Sequence, residues 1–303
     1  MNWQDIDWAA LERMRQAFLQ GTAGQGDYWQ SESDLVSYDA TFAQRIGWKW
    51  DYVLNELERR GWTPPHGNLV DWGCGSGIAH RAFLDYFGTQ SLTALHVWDR
   101  SALAVGFAQK RARAKYPGIN VQAGLPEKAA TVLISHVLTE LEPKQVEELA
   151  DTMAEKATTI LWVEPGTYEA SLTLIAIRER LRSRMNIVAP CTHQGQCGIL
   201  DKGNERHWCH HFASPPPEVF TDGNWAKFGQ LAGVDLRSLP LSFLVLDKRP
   251  VPQLPEGATR IIGRARIYKA FALALGSGAD GLKEHRISKR HLPDQFRQAK
   301  KTN

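Results

Sequence analysis

The sequence predicts an α/β fold, a parallel sheet with helices on both faces, and three observations carry that reading. Short apolar runs alternate with amphipathic helical stretches between residues 68 and 185. A glycine-rich turn joins the first apolar run to the first of these helices, and an aspartate closes the second run. The chain, at 303 residues, has room for one large domain or two ordinary ones. Hydrophobic residues make up 43% and charged residues 23%, values of a soluble globular protein rather than a disordered one. No stretch approaches the roughly 20 apolar residues of a membrane span, so no membrane partner is expected.

Taken in order, residues 1–62 read as a helical N-terminal cap. Trp8, Leu11, Met14 and Phe18 recur at helical spacing, as do Phe42, Ile46, Trp50, Val53, Leu54 and Leu57, with a flexible glycine joint at 21–26 between them. Strands are expected at 68–72, 92–98, 130–135 and 159–163, with a weaker one at 119–122. Helices at 79–86, 102–116, 143–156 and 170–185 follow the four stronger ones, making 63–186 the core. A cysteine- and histidine-rich insertion occupies 187–214. Residues 215–275 are expected to complete the core sheet with a short helix at 225–231 and a strand at 239–247. Residues 264–275 alternate basic and apolar side chains, and the glycine turn at 276–281 folds them back onto 282–288 as a hairpin; 276–303 form its returning arm and a basic tail.

The segment NLVDWGCGSGIAHRAF sets Gly73, Gly75 and Gly77 between strand and helix. Residues without side chains let the backbone turn sharply and let a ligand lie against a helix N-terminus. Asp71 ends the strand, and Asp99, in LHVWDRS, is placed to accept both hydroxyls of a ribose. A dinucleotide site, a methyl-donor site and a purely structural turn all use such a layout. The nicotinamide fingerprint wants its third glycine where Ile78 stands, and an acid nearer than Asp99. The pattern D-W-G-C-G-S-G resembles motif I of class I S-adenosylmethionine-dependent methyltransferases. That resemblance implies a Rossmann-like sheet with the donor held by Asp71, Gly73, Gly75, Gly77, Asp99 and Ser135. It also implies a methyl-transfer site lined by Ser135-His136-Val137-Leu138-Thr139-Glu140. No Asn/Asp-Pro-Pro-aromatic clamp and no catalytic cysteine pair is present, leaving His136 and Glu140 as weak candidates for acid–base work.

Three of the four cysteines, Cys191, Cys197 and Cys209, fall in one short stretch with His193, His207, His210 and His211. Clustered thiols in a reducing compartment read as metal ligands or redox groups. Zinc would take the three thiolates and one histidine, His193 or His210; an iron–sulfur cluster usually takes four thiolates; buried apolar thiols are the bland reading.

Three further elements sharpen this: Val163-Glu164-Pro165-Gly166-Thr167 at a strand end, Ala189-Pro190-Cys191-Thr192-His193 running to Cys197, and Trp208-Cys209-His210. Together they resemble the family of mitochondrial small-ribosomal-subunit methyltransferase-like assembly factors and their bacterial relatives, across most of residues 35–290. The resemblance implies an iron–sulfur cluster on Cys191, Cys197 and Cys209 and association with small-subunit ribosomal RNA during assembly. The family's fourth thiol has no counterpart in RIYKAFALAL, so a histidine as fourth ligand, or zinc in place of the cluster, stays open.

The overall charge of +3 hides an asymmetry: residues 260–303 carry eleven Lys/Arg against three Asp/Glu, a local +8, which leaves −5 for the rest. A basic end on an acidic body suggests a nucleic-acid partner. Arg264, Arg266, Lys269, Arg286, Lys289 and Arg290 are the candidate RNA contacts, joined by Lys283 and by Arg178, Arg180, Arg182 and Arg184, whose bland reading is a charged helix face. An acid-containing N-terminus argues against a secretory or transit leader, so a cytoplasmic protein is expected. The functional expectation is an S-adenosylmethionine-binding, rRNA-associated methyltransferase-like protein of small-subunit assembly. The alternatives are an RNA-binding assembly factor without turnover and a small-molecule methyltransferase.

Overall fold

The computed structural model describes residues 3–22, 26 and 28–301; positions 23–25 of the glycine joint lie outside them. The cap comprises α1 (Trp8–Leu19), α2 (Glu32–Ala40) and α3 (Phe42–Arg59). Side chains of Asp7 and Ser31 accept from the backbone N–H of Ala10 and Asp34, satisfying donors that the first turns of α1 and α2 leave free. Helix α3 buries Trp50, Val53, Leu54 and Leu57 against the sheet, the face its periodicity predicts.

The main sheet contains β1 (Gly67–Trp72), β2 (Leu92–Trp98), β3 (Val121–Ala123), β4 (Ala129–Ser135), β5 (Ala157–Pro165), β6 (Asn186–Ala189), β7 (His211–Ala213) and β8 (Leu239–Asp247). Its order is β3-β2-β1-β4-β5-β8-β6, with β7 also paired to β8. Strands β1 to β5 are mutually parallel, whereas β8 runs antiparallel to β5, β6 and β7. The crossover helices are α4 (Ile78–Phe87), α5 (Ala102–Lys115), α6 (Pro143–Lys156) and α7 (Tyr168–Leu181). Helices α3, α4 and α5 cover one face with an apolar cluster, and α6 and α7 cover the other. A third cluster joins α1 and α2 to α8 (Gly223–Ala232) through Met14, Trp29, Trp225 and Phe228. Strand order reverses between β1 and β4, which opens a crevice beyond their C-terminal ends.

Residues 260–301 form a second sheet with β9 (Arg260–Ile267), β10 (Phe271–Gly278) and β11 (Gly281–Ser288), three antiparallel strands with α9 (Pro293–Lys301) on them. This corrects two expectations. The strand expected at 264–275 is two strands, turned at Tyr268-Lys269-Ala270 without glycine or proline to mark the turn. Residues 260–275 therefore belong to the second sheet and not to the core sheet. Strands β6 and β7 were not foreseen: each is only three or four residues long and lies at or inside the cysteine stretch.

One buried carboxylate ties the sheet to the cap. Asp247, 1% exposed, accepts from Trp62 Nε1 at 2.8 Å, Thr159 Oγ1 at 2.9 Å and Arg249 Nη2 at 2.7 Å. Asp247→Ala strands the buried Trp62 and Thr159 donors and leaves Arg249 Nη2 only Thr63 O, at 2.8 Å, so it is expected to lower stability by about 3–5 kcal/mol. Asp247→Asn, which keeps one acceptor oxygen, costs less; urea denaturation midpoints of the two variants check the order.

Candidate functional site

The loop after β1 has left-handed backbone at Gly73, Gly75 and Gly77, with φ of 68°, 49° and 80°. A Cβ at Gly73 would come within 2.7 Å of Val137 Cγ1, and one at Gly77 within 2.4 Å of His80 Cε1, whereas one at Gly75 meets nothing within 4 Å. The first and third glycines are thus packing requirements, and the second presents bare backbone to open space. Gly73 N and Cys74 N both donate to Trp98 O, at 2.8 and 3.0 Å, which locks the loop to the end of β2.

Asp99 follows Trp98. Its Oδ2 accepts from Gly75 N at 2.9 Å and its Oδ1 from Ser101 N at 2.9 Å. Burial pushes its carboxyl above the ordinary range, against the pull of those two N–H groups. The carboxylate is held by backbone on one side and lines a cavity of about 650 Å³ on the other. Trp72 and Trp98 stack at 4.8 Å on the same wall.

Of the residues expected to hold the donor, Gly73, Gly75, Asp99 and Ser135 line this cavity. Asp71 and Gly77 do not. Asp71 is fully buried, and its Oδ2 lies 2.7 Å from His80 Nδ1, so this carboxylate braces α4 from behind. A motif position alone does not distinguish an acid facing the ligand from one supporting the loop.

Beyond β4, Ser135 Oγ accepts from Trp50 Nε1 at 3.0 Å. His136 has left-handed φ of 55° and lines the cavity. Its Nε2 lies 3.0 Å from Lys49 Nζ, on α3. Burial, then Lys49 and Arg45, push His136 well below its usual range, so its ring is neutral. Lys49 is 8% exposed and pushed down to about 7 by burial, with Arg45 adding to the effect. Behind them Glu164, fully buried, accepts from Val137 N at 3.0 Å and Trp162 Nε1 at 2.8 Å; burial raises it to about 7. Glu140 also lines the cavity, 3.4 Å from both Tyr28 Oη and Arg100 Nη2, and burial pushes it up to about 7. Lys49 and the cap residues Tyr28 and Tyr38 lie outside the motifs, and Glu164 stands within one, Val163–Thr167, where spacing alone gave it no role at the site. Lys49 still left a trace in the sequence: it is three residues after Ile46 and four before Val53, a lysine on the buried stripe of α3.

Cys191, Cys197 and Cys209 converge on one neighbourhood. Arg178, itself buried, donates from Nε to Cys191 Sγ at 3.2 Å and from Nη2 to Gly195 O at 2.7 Å. Cys197 packs among Ile175, Ile199 and Ile262. Burial raises Cys197 to about 11, and burial together with the other two thiols raises Cys209 further. Arg60 closes α3 and donates to the carbonyls of Val188 (2.6 Å), Pro190 (2.7 Å) and Cys191 (2.8 Å), and also pairs with Glu56 at 2.8 Å. Glu56 in turn holds Arg260 of β9 at 2.7 Å.

The donor chemistry suits a metal, and among the described residues both buried ring nitrogens of His193 lack a hydrogen-bond partner. The spacing does not suit one: among the described residues no three His, Cys, Asp or Glu side chains are grouped closely enough to hold an ion. His210 is turned away, stacked on Trp208 at 4.4 Å, and Cys191 faces a guanidinium. As placed, these residues do not form a metal centre.

The candidate RNA contacts divide. Arg264 lies over the Phe212 ring at 4.3 Å and Arg286 over Phe271 at 4.2 Å, while Arg266 pairs with Glu284. Lys269, Lys289 and Arg290 are exposed, the first between β9 and β10 and the other two just beyond β11. Lys283 pairs with Asp280 at 2.9 Å. On α7 and just beyond its end, Arg180 and Arg184 pair with Asp151 of α6, Arg182 with Glu179, and Arg178 is buried. The helix arginines follow the bland reading, a charged face matched by acids.

Strand order, glycine loop and Asp99 together define a Rossmann-like class I methyltransferase fold. Residues 51–303 match the model of the family described as Mitochondrial small ribosomal subunit Rsm22, and the chain belongs to that family. No curated protein matches significantly. Among solved structures it is similar to magnesium protoporphyrin IX methyltransferase from Synechocystis PCC 6803 with bound SAM, at 13% identity over 79% of this chain and 97% of that one, TM-score 0.43. It is also similar to TrmK of M. capricolum with S-adenosyl-homocysteine, at 10% identity over 68% and 72%, TM-score 0.37.

Glu164 yields a pH signature. Its raised folded value means that the native chain keeps a proton that the unfolded chain releases between pH 4.5 and about 7. Its contribution to stability is present below that window and lost as pH rises through it. In Glu164→Gln, which retains an acceptor for Val137 and Trp162, the fall in denaturation midpoint between pH 5 and pH 7.5 should shrink.

Proposed function

We propose that the protein binds S-adenosylmethionine in the cavity above the glycine loop and methylates ribosomal RNA of the small subunit during assembly. The observation that carries the donor site is Asp99, whose two oxygens are fixed by loop N–H groups on the wall of a cavity of about 650 Å³. A carboxylate held this way accepts the two hydroxyls of a ribose, while Gly73 and Gly75 leave backbone free for the rest of the donor. Membership of a family described by the small ribosomal subunit supports the RNA partner. The second sheet, with Arg264, Arg266, Lys269, Arg286, Lys289 and Arg290, is the proposed RNA surface.

A second reading, an assembly factor that binds donor without turnover, is favoured by the lack of an aromatic clamp after Ser135. No helix among the described residues is long and apolar enough to cross a membrane. A cytoplasmic location is a separate proposal, and the family description concerns the mitochondrion. The iron–sulfur cluster implied by the motifs, with zinc as its alternative, is proposed for Cys191, Cys197 and Cys209 with His193. The convergence of three thiols and the unpartnered His193 ring support it, and binding requires the side chains to close up.

Calorimetric titration should show donor binding by the wild-type chain and at least a tenfold weaker affinity for Asp99→Ala, about 1.4 kcal/mol. Labelled donor incubated with immature small subunits separates the two functional readings: incorporation supports the enzyme, and none at saturating donor supports the assembly factor. For the metal, protein purified without oxygen should be brown and carry iron. Colourless protein with stoichiometric zinc would transfer the site to zinc, and protein with neither removes the metal.

A further inference from the structure

Lys49 belongs to the cap, outside every motif, yet it reaches the place where the fold carries out its chemistry. Its Nζ lies 3.0 Å from His136 Nε2, and both residues line the cavity with Ser135 and Asp99. The ring of His136 is accounted for at both nitrogens: Nε2 faces Lys49, and Nδ1 lies 3.4 Å from Ser135 Oγ, which also takes the Trp50 N–H. Lys49 is not so accounted for. Among the described residues its Nζ has this one hydrogen bond and no carboxylate within ion-pair distance. The remaining valence of the amine is therefore free for the cavity. We propose that Lys49 is the general base of methyl transfer, with His136 as the residue that positions it, and that the acceptor is a nucleobase nitrogen that must lose a proton.

This rests on the methyltransferase reading above and assigns its acceptor class. The acceptor N–H gives its proton to the neutral amine of Lys49 as its electron pair attacks the donor methyl. An N–C bond forms, the C–S bond breaks, S-adenosylhomocysteine leaves with the electron pair, and Lys49 ends as an ammonium. Carbon methylation through a cysteine nucleophile has a poor candidate here, because burial and the charges of Asp71 and Asp99 hold the Cys74 thiol protonated.

The charged groups around Lys49 come from each packed element. Arg45 on α3 favours the neutral amine, Glu164 at the end of β5 favours the ammonium, His136 is neutral, and Glu140 stands on the same cavity wall. Burial places the balance at about 7, so the base is available at neutral pH.

The test uses the full chain, labelled S-adenosylmethionine and immature small subunits, reading donor affinity and single-turnover incorporation against pH. Wild-type incorporation should rise through about pH 7. Lys49→Met and Lys49→Arg should lose about 100-fold or more of it while binding donor normally. His136→Gln, which keeps an acceptor for the amine, should retain more activity than His136→Ala, and Glu164→Gln should move the rising limb to lower pH. Wild-type rate with an unchanged pH profile in Lys49→Met overturns the base. A wild-type chain that binds donor but incorporates nothing also overturns it and leaves the donor pocket standing; one that binds no donor overturns the underlying reading as well.

Discussion

The structure depends on a backbone constraint between β1 and β2. Three left-handed residues carry the chain from strand to helix, and the carbonyl of Trp98 accepts two N–H groups from the turn they make. Bonds of this kind are worth about 1 kcal/mol each, but they fix the loop at the point where strand order reverses. Asp99 extends the same lock by one residue. The geometry that shapes the crevice is thus the geometry that places its carboxylate. Asp71 and His80 support the turn from inside the protein, so that a motif which looks like a row of ligand contacts is partly a buttress.

Around this turn the N-terminal cap closes the cavity with aromatic and charged side chains. Burial dominates its electrostatics: Lys49 moves down, and Glu140 and Glu164 move up, until all three lie near neutrality. Opposed displacements of acids and bases in and behind one crevice are a feature of functional sites.

Much of the sheet was legible because strands buried on both faces read as apolar runs, and the parallel β1, β2, β4 and β5 and the antiparallel β8 are such runs. Strands β6 and β7 were not, since three or four residues carry too little periodicity to stand out. The division between β9 and β10 was hidden for another reason: basic–apolar alternation runs unbroken into a turn that has no glycine or proline. Of the site, the glycine loop and Asp99 were readable from spacing, and Ser135 only from the resemblance to class I methyltransferases. Glu164 was noticed as part of a motif, yet its burial and proton-holding role needed the fold. The cysteine cluster shows the limit of spacing arguments. Three thiols do arrive in one neighbourhood, but Arg178 occupies the approach to Cys191, and no count of intervening residues reveals an arginine from α7.

Arg60 gives α3 a wider significance. Its guanidinium grips three consecutive-region carbonyls of the cysteine loop, while eleven residues earlier Lys49 lines the donor cavity on the same helix. At 1.5 Å per residue the two grips are about 16 Å apart along a stiff rod. A helix anchored at its middle and at its C-terminal end transmits displacement between them rather than absorbing it. Any rearrangement that draws the thiols together must therefore either drag that rod, shifting the amine relative to the nucleoside crevice, or break the guanidinium's hold on the loop.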